Sequence, residues 1–408
     1  MFATTLSLLA ITLALGLPRE RAESQAATPP TLDAGLRRVR TAPAGADNAP
    51  VPIAFLFDCT GAQGQLGQAA LNGARLALQT VRPDAKGLMA VTEVNTATDS
   101  MLTRRAAERL CGLVRGAIGF TDSNSVLLAG PVLHREGRPL LSVGATDPCL
   151  NSDVGGDVFL TCFGDNAQGA AAADLVLERF GKRAAVLFDE SSDYTRQLAR
   201  FFRQAFAERG GDVVQVASCA DSSGWGAAVA ELAGSGRDFD ALFVAVLPAT
   251  LSEALGTIRD AGITAPIIGG DSFDCRQVLQ SGVAPTSNVF FTTHCWLGGD
   301  GQTPAAAAFT RAWREAYGSE VPNAFAALGY DAANLMMDAL RRARGPTAQD
   351  LAAALAATTD FKGVTGDISF VDGPVPHKDV WIVQVQDGAR TLVGPRTPAK
   401  VPSPHPCK

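Results

Sequence analysis

The sequence predicts an α/β protein of two doubly wound, Rossmann-like lobes with parallel central sheets, on three observations. Between Val51 and Phe163 the chain repeats one unit: an apolar strand, a small-residue turn and an amphipathic helix. A second cycle of the same unit opens with VFLTCF at 158–163. A late helical cluster is then followed by a short β segment, so the lobes exchange chain segments instead of simply following one another.

The first cycle begins with PIAFLF at 52–57, the turn DCTGAQGQLG and a helix over 68–81. MAVTEV at 89–94 precedes a helix over 101–114; AIGF at 117–120 precedes a helix to Leu133; PLLSVG follows at 139–144. Short apolar runs bounded by Gly and Pro, alternating with 3.6-period segments, mark βα units. In the second cycle, strands at 183–189, 212–218, 241–247 and 266–270 alternate with helices at 167–179, 194–209, 225–233 and 251–261. VFFTTH at 289–294 follows, then helices at 304–317, 323–344 and 347–358. GVTGDISF at 363–370 and VWIVQV at 380–385 are spaced as a hairpin, and the Pro-rich tail, 397–408, reads as disordered.

Bulk composition narrows the function. A formal charge of -6 argues against nucleic acid, whose binders carry basic footprints. LSLLAITLALGL at 6–17 has the length of a signal-peptide core and is too short to span a bilayer, which makes 1–27 an export signal. Its n-region lacks Lys and Arg, which leaves a membrane-surface helix or a mis-set start as the alternative. Residues 28–50, rich in Ala and Pro, read as a flexible leader. Eight cysteines without CxxC or Cys/His spacing fit an oxidising compartment but allow 105 pairings. Cys149 with Cys162 and Cys275 with Cys295 are the preferred pairs, because each closes a short excursion between adjacent strands. Cys59 with Cys111 and Cys219 with Cys407 are further candidates.

The strands end in polar turns: Asp58-Cys59-Thr60, Thr121-Asp122-Ser123 and Ala145-Thr146-Asp147. Carboxyl ends of neighbouring parallel strands border one crevice, so these turns are expected to meet in a water-accessible cleft. No metal cluster, phosphate loop or GxSxG accompanies them, and GAQGQLG lacks the glycine spacing of a dinucleotide loop. The four histidines, His134, His294, His377 and His405, lie near no expected nucleophile. The reading is a binder without cofactor or metal; an exported enzyme on a Rossmann-like fold is the rival.

Several local patterns, in order, resemble one family: TGAQGQLGQAALNGARLAL, AIGFTDSNS, PLLSVGATDP, FDESSDYTRQLARFF, IRDAGITAPIIGGDSF, AALGYDAANLMMDAL and FKGVTGDISF. The chain resembles the type I periplasmic substrate-binding proteins of ABC transporters, in the leucine/isoleucine/valine-binding branch. The resemblance implies two lobes joined by three crossovers, near 159–164, 290–295 and 363–370. One lobe would hold 51–161 and 293–364, the other 162–292 and 365–396. It implies a monomeric periplasmic protein that closes on an amino acid or other ammonium compound and serves an ABC permease, or alternatively a membrane sensor.

By the same resemblance, Ser123, Gly144, Ala145 and Thr146 match positions that hold a ligand carboxylate through N–H and O–H donors. Asp271 matches the acid that meets the ammonium, and Tyr194 the aromatic that closes over the ligand. Thr60 and Asp122, on bordering turns, complete the candidate set. Ser123, Thr146 and Asp271 are equally at home as helix caps. Two departures stand out. Leu247 and Pro248 replace an aromatic, and Asp58, Asp122 and Asp189 add carboxylates, which would favour a cationic amino acid or polyamine if two or more point inward. Phe120, Phe273 and Trp296 are candidates for the apolar lining or the core.

Overall fold

The computed structural model describes residues 37–39, 49–81, 86–220, 224–280, 282–318 and 320–404; the expected export signal lies outside them. Six strands form the first sheet: β1 (Arg37–Val39), β2 (Val51–Phe57), β3 (Met89–Asn95), β4 (Gly116–Gly119), β5 (Leu140–Ser142) and β6 (Val158–Leu160). Their order is β1-β3-β2-β4-β5-β6. All pairs from β3 to β6 are parallel, and β1 adds an antiparallel edge within what reads as a flexible leader. Between these strands run α1 (Gly64–Thr80), α2 (Ser100–Leu110), α3 (Ser123–Arg135) and the short α4 (Leu150–Val154). In α1 the buried residues Leu66, Ala70, Ala74 and Ala77 recur at helical spacing, which turns one face onto the sheet.

The second sheet has the order β15-β14-β11-β10-β9-β7-β8. Its parallel strands are β7 (Arg183–Asp189), β8 (Asp212–Cys219), β9 (Ala241–Ala245), β10 (Ile267–Gly269) and β11 (Val289–Thr293). Around them pack α5 (Asp165–Arg179), α6 (Asp193–Glu208), α7 (Trp225–Gly234), α8 (Leu251–Asp260), α9 (Gln277–Gln280) and α10 (Val283–Thr286). In both sheets the first parallel strand lies between the second and third: β2 between β3 and β4, β7 between β8 and β9. Each sheet therefore has a topological switch point, the place where open α/β sheets bind ligands.

After β11 the chain returns to the first sheet as α11 (Pro304–Tyr317), α12 (Ala324–Arg342) and α13 (Ala348–Ala356). α12 lies against α1, and two glycines set the distance. A Cβ on Gly73 would stand 1.8 Å from Ala326 O, and one on Gly329 would stand 1.9 Å from Ala70 O. No other residue allows that approach.

The last strands differ from expectation. β12 (Phe361–Gly363) and β13 (Gly366–Ile368) form their own two-stranded hairpin. β14 (Val380–Gln386) instead pairs with β11 and with β15 (Ala389–Arg396), both antiparallel. The turn between β14 and β15 is Asp387-Gly388, both at positive φ, the type I′ pattern that matches strand twist. The tail is also ordered as far as it is described. Asn166 Nδ2 donates to Pro402 O at 3.1 Å, Lys400 pairs with Glu208 at 2.9 Å, and Pro402 is buried.

The preferred disulfides are corrected as well. Cys149 is disulfide-bonded, but not to Cys162, which is a buried thiol that donates to Ala145 O at 3.2 Å. Cys149 Sγ instead lies 3.3 Å from Pro404 O of the tail. Cys275 and Cys295 are separate thiols because they enter different apolar clusters, Cys275 with the main core and Cys295 with Leu76, Phe309 and Trp313. Cys59, Cys111 and Cys219 are thiols too, which excludes the pairings of Cys59 with Cys111 and of Cys219 with Cys407; Cys407 itself lies outside the described residues.

One buried cation ties the chain passages between the sheets together. Lys378 Nζ donates to Thr161 O at 2.8 Å, just after β6, and to Thr365 Oγ1 between β12 and β13. Thr365 in turn is held by Asp331 of α12, whose Oδ2 accepts its N–H at 2.9 Å and its hydroxyl at 2.7 Å. Burial pushes the Lys378 ammonium down and the Asp331 carboxyl up, and each charge eases the other's shift. Lys378→Ala leaves the opposing acid and acceptors uncompensated, with an expected loss of about 3–5 kcal/mol. A urea titration reads it; a change below about 1 kcal/mol would remove Lys378 from this role.

Candidate functional site

The switch points build the site. At the end of β4, the fully buried Phe120 is held at φ +64, a conformation costly for a bulky residue, and the chain turns into Thr121. At the end of β5, Gly144 faces the Phe325 ring so closely that a Cβ would stand 2.6 Å from its Cε1. Across from them, Gly270 after β10 leaves room for Tyr194, whose hydroxyl would be 2.5 Å from a Cβ there.

These groups surround one cavity. Gln63, Leu66, Thr121, Gly144 and Phe325 line it from the side of the first sheet; Tyr194, Asp271 and Ser272 line it from the second. Its volume is about 10 Å³, close to that of one water. The open cleft expected from the turns is therefore nearly filled, and an amino acid enters only if the two rims part.

Asp271 is the centre of a buried hydrogen-bond network. Its Oδ1 accepts from the Tyr194 hydroxyl at 2.7 Å and from Gln168 Nε2 at 3.3 Å; its Oδ2 meets His294 Nε2 at 2.9 Å. Burial pushes His294 down, against the pull of Asp271, so the imidazole is neutral and Nε2–H is the donor. The ring stacks on Phe163 at 4.0 Å and meets Phe325 edge-on at 5.6 Å. Gln168 completes the network: its Oε1 accepts from Thr292 Oγ1 at 2.7 Å and from Asp271 N at 3.2 Å, while Nε2 also donates to Asp165 at 2.7 Å.

Of the expected residues, the cavity brings together Gly144, Tyr194 and Asp271. Ser123, Ala145 and Thr146 are buried beside it and engaged with their neighbours. Ser123 Oγ accepts from Asp147 N at 3.4 Å, Ala145 O accepts from Cys162, and Thr146 O accepts from Asp165 N at 2.7 Å. Thr60 lies on an exposed turn and accepts from Asn95 Nδ2 at 3.1 Å, away from the cavity. Asp122 caps α3 through Ser125 N at 3.1 Å. Phe120, Phe273 and Trp296 join the core. Gln63, Leu66, Ser272, Phe325, Gln168 and His294 were not among the expected residues, whereas Thr121 lies on one of the turns expected to border the cleft. Of the others only Ser272 carried a signal, as the neighbour of Asp271.

The extra carboxylates do not make the cavity strongly negative. Asp58 is pushed up to about 7 by burial, then by Asp122; its Oδ1 accepts from Thr96 at 2.7 Å and Ser125 at 3.3 Å. Burial likewise raises Asp122 and, well above the usual range, Asp165. Asp189 is engaged with Ser191 N at 2.7 Å. Among the lining residues Asp271 is the one carboxylate.

A larger groove of about 710 Å³ opens nearby between Gln65, Gln68, Asn72, Trp313, Arg276 and Glu320. It is bridged by the Arg276–Glu320 ion pair and by Arg276 N donating to Gln65 Oε1 at 3.2 Å. It is larger than the cavity, but of the expected cleft turns only Cys59 reaches it, and none of the expected ligand-binding residues lines it. Among the described residues no cluster is suited to a metal ion, and no helix is long and apolar enough to cross a membrane.

Comparison with known proteins agrees with this architecture. A family model described as periplasmic binding protein matches residues 50–390. The Leu/Ile/Val-binding protein homolog 1 of Brucella suis is 24% identical over 336 residues, 79% of this chain and 86% of that protein. The branched-chain amino acid transporter substrate binding protein LivJ of Streptococcus pneumoniae, solved with isoleucine, is 27% identical with a TM-score of 0.75, covering 85% of this chain and 100% of that one. The leucine binding protein LivK of Thermotoga maritima is 26% identical with a TM-score of 0.77, covering 85% and 99%.

The raised Asp58 has a measurable consequence. A carboxyl whose folded-state pKa of about 7 lies above its unfolded value of 3.8 stabilises fully below the unfolded value. That contribution is lost as pH rises through 7. From pH 5 to pH 8 the loss is on the order of 2–3 kcal/mol. Asp58→Asn, which keeps an acceptor for Thr96, should therefore gain about 2–3 kcal/mol on the parent between pH 5 and pH 8, read by melting both at each pH. Equal differences at the two pH values would show that Asp58 does not titrate in this range.

Proposed function

Because the chain belongs to the periplasmic binding protein family, in its branched-chain amino acid branch, we propose that it captures an amino acid or related ammonium compound by hinge closure. It would then deliver the ligand to the transmembrane subunits of an ABC importer. The moving units are the lobes 51–161 with 293–364 and 162–292 with 365–396. Export through the leader at 1–27 and action as a monomer belong to the same proposal. No chemistry is performed on the ligand.

The observation that carries this reading is the convergence of Gly144, Tyr194 and Asp271, from two sheets, on one buried cavity. Asp271 has three donors, which leaves lone-pair capacity on Oδ2 for an ammonium. On the facing rim, Ser123, Gly144, Ala145 and Thr146 would supply hydroxyl and N–H donors to the carboxylate. A single acid opposite neutral donors suits a zwitterion better than a polyamine. The cavity holds about 10 Å³, so binding requires the rims to part and close again. A ligand that touches both rims favours the closed arrangement by its differential affinity.

A thermal-shift screen of amino acids, polyamines, amides and short organic acids tests the proposal. At about a hundredfold excess over Kd a true ligand adds ~2.7 kcal/mol, several degrees for a protein of this size. Asp271→Ala should abolish the shift for an ammonium ligand, whereas Thr60→Ala should leave it intact. A shift that survives Asp271→Ala unchanged overturns the site.

A further inference from the structure

We propose that Gln63 and Thr121 read an uncharged hydrogen-bonding group on the ligand side chain, so that the site prefers a polar amino acid to leucine, isoleucine or valine. This rests on the amino-acid reading above and names its substrate class. Both residues line the cavity and are more than nine-tenths buried, Gln63 at 4% and Thr121 at 6% exposure. Gln63 Oε1 and Thr121 Oγ1 have no hydrogen-bond partner. Gln63 occupies the N-cap position of α1, yet its side chain makes no capping bond. Local structure therefore does not account for either polar group.

The remaining polar side chains of the cavity are engaged. The Tyr194 hydroxyl donates to Asp271, and Ser272 Oγ donates to Val246 O at 2.7 Å. Asp271 is reserved for the ammonium. Leu66, Phe325 and the ring of Tyr194 are the apolar surfaces the lining offers to a ligand. An aliphatic ligand placed here would seal Gln63 and Thr121 away from water with their polar atoms unmatched. A site with such groups rejects the analogue that lacks a matching OH or NH. A hydroxyl or carboxamide satisfies both, since each can donate and accept. A second positive charge would find no second carboxylate in the lining, and a negative one would face Asp271.

Isothermal titration of the purified chain decides the matter, with asparagine, glutamine, serine and threonine set against leucine, isoleucine and valine. The expected result is that one of the polar amino acids binds about tenfold or more tighter than leucine. Gln63→Leu and Thr121→Val should each shrink or reverse that ratio, with thermal melting used to check that the variants fold. Tighter binding of leucine than of every polar amino acid overturns the inference and leaves the amino-acid reading standing. An unchanged ratio in both folded variants overturns it too. If neither set binds, the amino-acid reading itself falls and takes this inference with it. The parent chain's own ratio decides the question even if a variant fails to fold.

Discussion

The arrangement depends on one buried carboxylate. Asp271 follows β10 at 2% exposure, where burying a carboxylate without hydrogen-bond donors would be costly. It is matched by donors from three parts of the chain: Gln168 of α5, Tyr194 of α6 and His294 after β11. Each of those elements is thereby fixed relative to β10. Gln168 extends the constraint, because its carbonyl oxygen accepts from Thr292 and from Asp271 N at once. The passage leaving the first sheet before α5 and the passage returning to it after β11 are thus held to the same acid. Such a network specifies one arrangement only when every member is satisfied. Two atoms of the network lack a partner, Asp165 Oδ2 and His294 Nδ1, the second being the unprotonated nitrogen that a neutral imidazole must have.

Small residues let the facing surfaces approach this centre. Gly144 admits the Phe325 ring and Gly270 admits the Tyr194 hydroxyl. The Gly73 and Gly329 contact draws α12 onto α1, and α12 begins at Ala324, one residue before Phe325. Tight helix packing thus sets where the aromatic wall of the cavity stands. Asp274 reinforces that position by accepting from Ala324 N at 2.9 Å, from Thr293 Oγ1 at 2.8 Å and from Arg390 at 3.0 Å. Helix start, strand end and hairpin are joined at one acid.

Much of this was legible in the chain. The parallel strands from β2 to β11 read directly, because each is a short apolar run between turns, and the longer helices follow from their spacing, whereas the short α4, α9 and α10 were not expected. Gly144, Tyr194 and Asp271 were marked by the resemblance to the substrate-binding family. The rest depends on tertiary contacts. Asp122 and Asp271 look alike as strand-end acids, but one caps its own helix and the other collects distant donors. Phe325 and Gln168 carry no local mark; a phenylalanine at a helix start and a glutamine in an Ala-rich helix acquire roles only through the partners opposite them. Disulfide pairing fails for the same reason, as the thiols of Cys275 and Cys295 are close in sequence yet enter separate clusters. The hairpin of β14 and β15 was legible in principle: Asp387-Gly388 is a strong turn signal. The Pro-rich sequence beyond it masked the second strand.

The strand-end acids separate by environment. Asp58, Asp122 and Asp165 are enclosed by protein hydroxyls, amides and backbone, where burial raises all three and favours the neutral form. Asp271 alone lines the cavity. The same residue type therefore serves two purposes according to what surrounds it. Acids whose carboxyls burial pushes up brace the ends of β2, the start of α3 and the start of α5, and a donor-rich carboxylate faces the space where a ligand would sit. That division removes the electrostatic objection to a simple zwitterion in so acidic a neighbourhood. It also moves the question of selectivity away from charge and onto the uncharged groups around the acid, where Gln63 and Thr121 stand without partners.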